Sequence, residues 1–186
     1  MVTRAVSPQL ARLPNALTVL RLALIPLFIA IMATADDGHS WAAAIVFTAA
    51  GVTDQADGWL ARRWHVESEF GRVADPLADR LMIDVAIVAL WLHGRLPWPA
   101  LAVIVVRDVI LVGGYRLVLQ PRGYDVEVNT LGKVATWGLY AALALTLATA
   151  DGTDWPLWLF WIALGVAVVA GVQYLVEATR KVGISR

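Results

Sequence analysis

The chain has 186 residues, of which 59% are hydrophobic and 16% are charged, and its mean hydropathy is +0.66. Such a composition is too apolar for an ordinary soluble domain and indicates a membrane protein with the length of one helical bundle. The formal net charge is zero, which argues against a nucleic-acid partner. Cysteine is absent, so disulfides and thiolate metal sites are excluded.

Six apolar stretches approach the length of about 20 residues that a helix needs to cross a bilayer. Glycine-containing or proline-containing turn segments separate several of them, at Asp36-Asp37-Gly38, His93-Gly94-Arg95, Pro121-Arg122-Gly123 and Asp151-Gly152-Thr153-Asp154. The predicted spans are Leu13 to Thr34, Ser40 to Arg62, Val73 to Leu92, Pro97 to Leu119, Val128 to Thr149, and Trp155 to Ala178. The sequence therefore predicts an all-α, polytopic membrane protein with six transmembrane helices in a single domain, residues 13–178.

Both ends of the chain are expected outside the bundle. Residues 1–12 form a short N-terminal juxtamembrane segment, which is either an amphipathic helix on the membrane surface or a mobile terminus. Residues 179–186 form a tail. The positive-inside rule places both termini and the acidic end of the second span in the cytoplasm, as in a bacterial-type inner (plasma) membrane. The basic residues on that side are Arg4, Arg12, Arg62, Arg63, Arg72, Arg116, Arg122, Lys133, Arg180 and Lys181.

Tryptophans mark the opposite side of the predicted bundle. Trp41, Trp98, Trp155 and Trp158 fall close to span ends on the non-cytoplasmic side. This is the position in which membrane proteins place an aromatic belt.

Four aspartates form the most informative pattern, D-x-x-D-G-x-x-A-R-x8-G-x3-D-x3-D, and they lie in predicted spans, where unpaired charge is costly. Asp54 and Asp57 are three residues apart, and Asp75 and Asp79 are four apart, so each pair shares one face of a helix. If the two helices are antiparallel, the pairs can meet, and four converging carboxylates would repel one another without a cation. Oxygen-only coordination suits Mg²⁺ or Mn²⁺, and one or two such ions would be held.

Acidic residues inside spans also serve as proton relays or cation sites in transporters. A small proton- or cation-coupled transporter is therefore the alternative from another functional class. Transporters often contain inverted repeats or paired broken helices, and no internal repeat is visible in this chain.

The eight fixed positions of the pattern resemble the signature of the CDP-alcohol phosphotransferases, membrane enzymes that transfer a phosphatidyl or related group from a CDP-linked donor to an alcohol. The resemblance implies two Mg²⁺ or Mn²⁺ ions and a homodimer. It implies that Asp54, Asp57 and Asp75 are metal ligands, and that Asp79 both approaches the second metal and accepts the proton of the incoming hydroxyl. It also implies that the CDP moiety of the donor, CDP-diacylglycerol, binds against Asp57, Gly58, Ala61, Arg62 and Gly71.

Further polar residues within the spans predict a pocket for the acceptor alcohol. Asn15, Thr18 and Arg21 recur every three residues on the first span, and Arg107 and Lys133 lie in the fourth and fifth. Buried cations need anionic partners, and a phosphate on the acceptor would provide one. Two alternatives stay open: Arg107 pairs with an acid such as its neighbour in sequence, or Lys133 extends to water at the interface.

A simpler role is expected for another charged pair. Arg80 and Asp84 are four residues apart, which predicts an ion pair within one helix.

Two local segments bear on the acceptor. The run R-D-V-I-L-V-G-G from Arg107 to Gly114 and the L-G-K ending at Lys133 resemble the cardiolipin synthases of the CDP-alcohol type, whose acceptor is phosphatidylglycerol. The alternative is a phosphatidylglycerolphosphate synthase, which uses glycerol 3-phosphate. Those enzymes usually have R-E and a second arginine eight residues later, where this chain has Asp108 and Tyr115, although Arg116 could substitute. The inositol-phosphate branch of the family is less favoured and stays open.

Overall fold

The computed structural model describes residues 13–64, 69–114 and 130–184, and within those ranges all regular structure is α-helical. The prediction of an all-α chain with six helices is confirmed for this part of the chain. In chain order the helices are α1 (Leu13–Met32), α2 (Trp41–Trp64), α3 (Glu69–Leu92), α4 (Trp98–Gly114), α5 (Thr130–Ala148) and α6 (Trp155–Ile184).

Helices α3 and α6 extend beyond the predicted spans, and the predicted end of the fourth span at Leu119 lies outside the described residues. Helix α3 begins at Glu69, four residues before the predicted start at Val73, and α6 continues to Ile184, beyond the predicted end at Ala178. Charged residues such as Arg and Lys are good helix formers, so a helix can continue past the apolar stretch from which a span is predicted. The N-terminal segment 1–12 and the Pro121-Arg122-Gly123 separator lie outside the described residues.

Three of the predicted turn segments lie together at one end of the bundle. Each contains a glycine with a positive φ: Gly38 at 69°, Gly94 at 73° and Gly152 at 80°. At Gly38 a Cβ would also lie 2.7 Å from the Cβ of His93, which brings the α1–α2 turn against the α3–α4 turn. We call this end, formed by residues 33–40, 93–97 and 149–154, the turn end.

Arg95 joins these turns to the last carbonyls of α5. Its Nη2 donates to the carbonyl oxygens of Thr146 at 3.2 Å, Thr149 at 3.0 Å and Ala150 at 3.3 Å. Its Nε lies 3.4 Å from Asp151 Oδ1. Carbonyls at a helix C-terminus lack partners within the helix and carry partial negative charge, so a cation there satisfies both needs.

The helices pack so that α1 contacts α2 and α3, α5 contacts α2 and α6, and α4 contacts α3 and α6. The α1–α2–α5 contact is aromatic: the ring centroids of Phe28 and Phe47 are 6.1 Å apart, and those of Phe47 and Tyr140 are 5.0 Å apart. Gly51 permits this approach, because a Cβ there would lie 2.7 Å from Tyr140 Cε1. The position of α2, which carries the first acidic pair, is thus set by its packing on α5.

Within the described ranges, two segments are long and apolar enough to cross a membrane by length and composition: Thr130–Ala148 and Trp155–Glu177. Shorter apolar stretches, Val19–Met32 and Trp41–Thr53, lie in α1 and α2. Helices α2 and α3 carry the acidic motif and its arginines, and this charge lowers their hydropathy. Six spans therefore stay a prediction.

The tryptophans lie where the sequence predicts them. Trp41, Trp98 and Trp155 are the first residues of α2, α4 and α6, at the turn end, and Trp158 is one turn further along α6. The side chains of these four residues are exposed. Their place at one end of the bundle is the arrangement expected of an aromatic belt.

Candidate active site

The two acidic pairs lie on neighbouring helices. Asp54 and Asp57 are in the C-terminal half of α2, Asp75 and Asp79 are in the N-terminal half of α3, and the two helices are in contact. They run antiparallel, because the turn before α2 lies against the turn after α3. Asp54 follows Trp41 by 13 residues, and Asp79 precedes Leu92 by 13, so both backbone positions lie about 20 Å from the turn end.

The side chains of these four aspartates lie outside the described residues, as do those of the predicted donor-binding residues Gly58, Ala61, Arg62 and Gly71. Among the side chains that the structure does describe, no three His, Asp or Glu residues are grouped to hold a metal. A metal centre in this chain therefore depends on the aspartate pattern, whose backbone register and oxygen-only donor set suit a hard divalent cation.

The predicted acceptor residues fall into two groups. Arg21 is buried on α1, the helix that contacts both α2 and α3. Lys133 is exposed near the start of α5, as expected for a lysine that extends to water. The side chains of Asn15 and Thr18 lie outside the described residues, although both positions belong to α1.

Arg107 is held by the acid next to it in sequence. Its Nη1 donates to Asp108 Oδ1 at 3.1 Å, so the alternative of an ion pair with Asp108 is correct. A guanidinium has five donors, however, and the Nε of Arg107 is buried with no hydrogen-bond partner among the described residues. Pairing with Asp108 therefore leaves this arginine able to bind a second anion.

Arg80 forms a different ion pair from the predicted one. Its Nη1 lies 3.4 Å from Asp108 Oδ1 on α4, and no ion pair joins Arg80 to Asp84 in the described part of the chain. The prediction of an intrahelical pair was wrong because α4 offers a carboxylate closer than the one on the same helix. Asp84 Oδ1 is left buried with no hydrogen-bond partner within those ranges.

Helix register places the polar groups in one layer of the bundle. At 1.5 Å per residue, Asp108 lies about 15 Å from the turn end, Arg21 about 17 Å, Arg80 about 18 Å and Lys133 about 23 Å, and the aspartates lie between about 20 and 26 Å. If the turn end lies at one face of a hydrocarbon core about 30 Å thick, this layer lies beyond the middle of the core, on the side away from the tryptophans. Charged residues from five helices, α1 to α5, thus lie between about 15 and 26 Å from the turn end.

Sequence reasoning missed two features that shape this layer. Asp108 bridges the guanidinium groups of Arg107 and Arg80 and so connects α4 to α3. Gly51, three residues before the first aspartate of the motif, is the point where α2 approaches the Tyr140 ring on α5. Asp108 could have been found by searching for an acid at the depth of Arg80 on another helix, whereas nothing in a single helix singles out Gly51.

Comparison with known proteins gives the chain its family. Residues 11–169 match the family model described as CDP-alcohol phosphatidyltransferase. The chain is 36% identical to the CDP-diacylglycerol–glycerol-3-phosphate 3-phosphatidyltransferase of Bacillus subtilis, over 87% of this chain and 92% of the relative. It is also 36% identical to the CMP-forming cardiolipin synthase of Streptomyces coelicolor, over 97% of this chain and 88% of the relative.

A further relative of the first kind is found in Escherichia coli K12. That CDP-diacylglycerol–glycerol-3-phosphate 3-phosphatidyltransferase is 32% identical, over 89% of this chain and 94% of the relative. The family match covers most of the chain, includes every position of the aspartate pattern, and agrees with the resemblance carried by that pattern. The protein belongs to the CDP-alcohol phosphatidyltransferase family and is an enzyme of that class.

Proposed function

We propose that this enzyme transfers the phosphatidyl group of CDP-diacylglycerol to phosphatidylglycerol, giving cardiolipin and CMP. The observation that carries the proposal is the register of α2 and α3, in which two acidic pairs of a family signature lie at similar depth on adjacent antiparallel helices. Family membership removes support from the transporter alternative.

Four aspartates would hold two Mg²⁺ or Mn²⁺ ions: Asp54, Asp57, Asp75 and Asp79. When bound, such ions neutralise the diphosphate of the donor and stabilise the charge that builds up on the departing CMP. The small residues Gly58, Ala61 and Gly71 are proposed to leave room for the nucleotide, and Arg62 to supply a cation to the diphosphate.

Asp79 is proposed as the general base. The acceptor hydroxyl oxygen attacks the phosphorus that carries the diacylglycerol, its proton passes to the Asp79 carboxylate, and the bond from that phosphorus to the bridging oxygen of CMP breaks. Asp79 would remain ionised beside cations, so its contribution comes mainly from holding the hydroxyl in position. Phosphoryl transfer depends chiefly on such positioning and on electrostatic stabilisation.

The acceptor is proposed to bind among polar residues contributed by α1, α4 and α5. Arg107, Arg21 and Lys133, with Asn15 and Thr18, form the proposed acceptor site and would receive its phosphate. The Arg107–Gly114 segment and the match to the Streptomyces cardiolipin synthase over nearly the whole chain support phosphatidylglycerol. The names of the Bacillus and Escherichia relatives support glycerol 3-phosphate, giving phosphatidylglycerolphosphate, as the second candidate.

The proposed setting is a bacterial-type inner membrane crossed by all six helices, with residues 13–178 as the catalytic domain. The N-terminal segment 1–12 would lie at the cytoplasmic surface, and both termini and the active site would face the cytoplasm. The excess of basic residues on that side supports this orientation. A homodimer is proposed as the assembly.

The test measures CMP released from CDP-diacylglycerol by the purified enzyme, with phosphatidylglycerol and glycerol 3-phosphate supplied in parallel reactions. We expect release with phosphatidylglycerol and Mg²⁺ or Mn²⁺, loss of release with excess EDTA, and recovery when the ion is restored. Release with glycerol 3-phosphate alone would assign the second candidate. No release with any lipid or polyol acceptor would refute the proposed function.

A further inference from the structure

An open groove runs between α4 and α6, and its lining, among the side chains that the structure describes, comes from these two helices. Its volume is about 340 Å³, within the usual range of ligand pockets. The two helices are parallel, since both begin at the turn end, α4 at Trp98 and α6 at Trp155. The lining residues of α4 extend from Ala102 to Leu111, about 13 Å of helix. Its apolar lining includes Val103, Val106, Ile110, Val168, Val172 and Leu175.

Arg107 is the charged residue among the described side chains that line this groove. Its Cγ lies 4.0 Å from where a Cβ of Gly171 would be, so the glycine leaves space beside the arginine stem. The guanidinium pairs with Asp108 through Nη1, while Nε is buried without a hydrogen-bond partner in the described ranges. A ligand that fits here has an elongated apolar part and an anionic group at the depth of Arg107.

Three residues in succession, Arg107, Asp108 and Arg80, connect the groove to the helix that carries the proposed base. Asp79 is followed in the chain by Arg80, whose Nη1 lies 3.4 Å from Asp108 Oδ1, and the same oxygen accepts from Arg107. An anion bound by Arg107 would therefore be linked, through these ion pairs, to the helix that carries the proposed base. The main contacts of α6 are with α4 and α5, so the groove lies apart from α2, where the donor nucleotide is proposed to bind.

We propose that this groove holds an acyl chain of the acceptor lipid, with the lipid phosphodiester at its edge bound by the exposed part of the Arg107 guanidinium, a side chain that is 19% exposed. The inference rests on the proposed phosphatidyltransferase function and makes it more specific, because a water-soluble acceptor has no chain to place there. A phosphodiester complements the arginine, and a hydrocarbon chain fits an apolar groove of about 340 Å³ better than a helix about 10 Å across. The acceptor's chain and phosphate would thus be recognised together.

Two valines on α6 provide a matched test. Val172 lines the groove and is 54% exposed, whereas Val169 is 52% exposed and lies outside the lining. Val172→Phe would fill the groove and Val169→Phe would add the same bulk elsewhere. Both variants are assayed in phosphatidylcholine nanodiscs with increasing dioleoyl-phosphatidylglycerol, with dihexanoyl-phosphatidylglycerol as a short-chain acceptor, and their oligomeric state and thermal unfolding are compared with the parent.

For Val172→Phe we expect the KM for dioleoyl-phosphatidylglycerol to rise about tenfold, the loss expected if about two methylene groups are excluded. The KM for CDP-diacylglycerol and the use of the short-chain acceptor should stay near those of the parent, and Val169→Phe should behave as the parent. Equal effects of the two variants, a rise in the donor KM alone, or a change of oligomeric state would each overturn the assignment.

A readout that needs no turnover separates this proposal from the proposed function. Phosphatidylglycerol with a photoreactive acyl chain should label α4 or α6 peptides in the parent enzyme and much less in Val172→Phe, and diacylglycerol with the same chain, which lacks the phosphodiester, should label them weakly. If CMP release fails with every acceptor, the phosphatidyltransferase proposal and the acceptor role of the groove both fall. If CMP is released and labelling is equal for both lipids and both variants, only the groove assignment is refuted.

Discussion

Asp108 Oδ1 lies 3.4 Å from Arg80 Nη1, and this contact joins α4 to the helix that carries the proposed catalytic base. The same oxygen accepts a hydrogen bond from Arg107, so one carboxylate balances two guanidinium groups. Arg80 is a neighbour in sequence of Asp79, so the side of α3 that faces α4 is fixed by this interaction. A change at Asp108 should consequently affect both stability and acceptor binding.

We expect Asp108→Asn to lower the free energy of unfolding by about 1–3 kcal/mol, because two partly buried cations lose their anion. Thermal unfolding in detergent measures the loss, and the KM for the acceptor should rise as Arg107 loses its orientation. Asp108→Glu keeps the charge and serves as the matched control. Unchanged stability in Asp108→Asn would show that the bridge contributes little in the membrane protein.

Gly51→Ala should destabilise the α2–α5 contact, since the new Cβ would lie 2.7 Å from Tyr140 Cε1. Overpacking of this kind costs about 1–3 kcal/mol, and activity should also fall because Asp54 follows one turn later on α2. Gly165→Ala on α6 is the control, as nothing lies within 4 Å of a Cβ there. Tyr140→Leu in the Gly51→Ala background should recover part of the melting temperature. Equal melting temperatures for Gly51→Ala and Gly165→Ala would show that the close approach of α2 to Tyr140 does not limit stability.

Asp79→Asn should reduce CMP release by about 10²–10⁴-fold, the range in which a general base contributes. Donor binding and the melting temperature should stay near those of the parent, which equilibrium binding of CDP-diacylglycerol and thermal unfolding can establish. Asp154→Asn, at an exposed acid near the turn end, provides the control. Substantial turnover by Asp79→Asn would assign the base to another residue.

Arg95→Met should lower stability without directly altering the chemistry. The side chain of Arg95 is 5% exposed and donates to three carbonyl oxygens at the end of α5, and hydrogen bonds to a charged group contribute about 1.5–3 kcal/mol each. The melting temperature should therefore fall, while the KM for both substrates stays constant below it. Asp151→Asn, at a carboxylate that is 73% exposed, should change stability by about 1 kcal/mol or less. Equal losses for Arg95→Met and Asp151→Asn would contradict the proposed role of the carbonyl oxygens that Arg95 binds.

Local sequence signals were sufficient where the structure depends on neighbours along the chain. Turn residues with glycine at Gly38, Gly94 and Gly152 correctly predicted three helix boundaries, because a left-handed backbone conformation favours glycine. Apolar stretches of membrane-spanning length predicted the helices between them. The aspartate spacing predicted the family, since the chemistry requires those residues at fixed positions on two consecutive helices.

Contacts between helices distant in sequence could not be predicted in the same way. Arg80 pairs with Asp108 on α4, and spacing within α3 points only to Asp84. The groove between α4 and α6 depends on the rotation of both helices and on the missing side chain of Gly171, none of which a single-helix pattern contains. The sequence identifies several cations within the predicted spans. The three-dimensional arrangement is needed to show that Arg107 lines an open groove.

The enclosure of Arg95 leaves the outer surface of the turn end electrically one-sided. Four aspartates are exposed there, Asp36, Asp37, Asp151 and Asp154, and the backbone N–H of His39 donates to Asp37 Oδ1 at 3.0 Å, which lowers the pKa of that carboxyl. Basic residues of the described helices, Arg62, Arg63, Arg72, Arg180 and Lys181, lie toward the opposite end, so the two ends of the bundle differ in charge. In the reverse of the proposed orientation, these basic residues would lose the attraction of the anionic cytoplasmic leaflet, and the exposed carboxylates would face it instead.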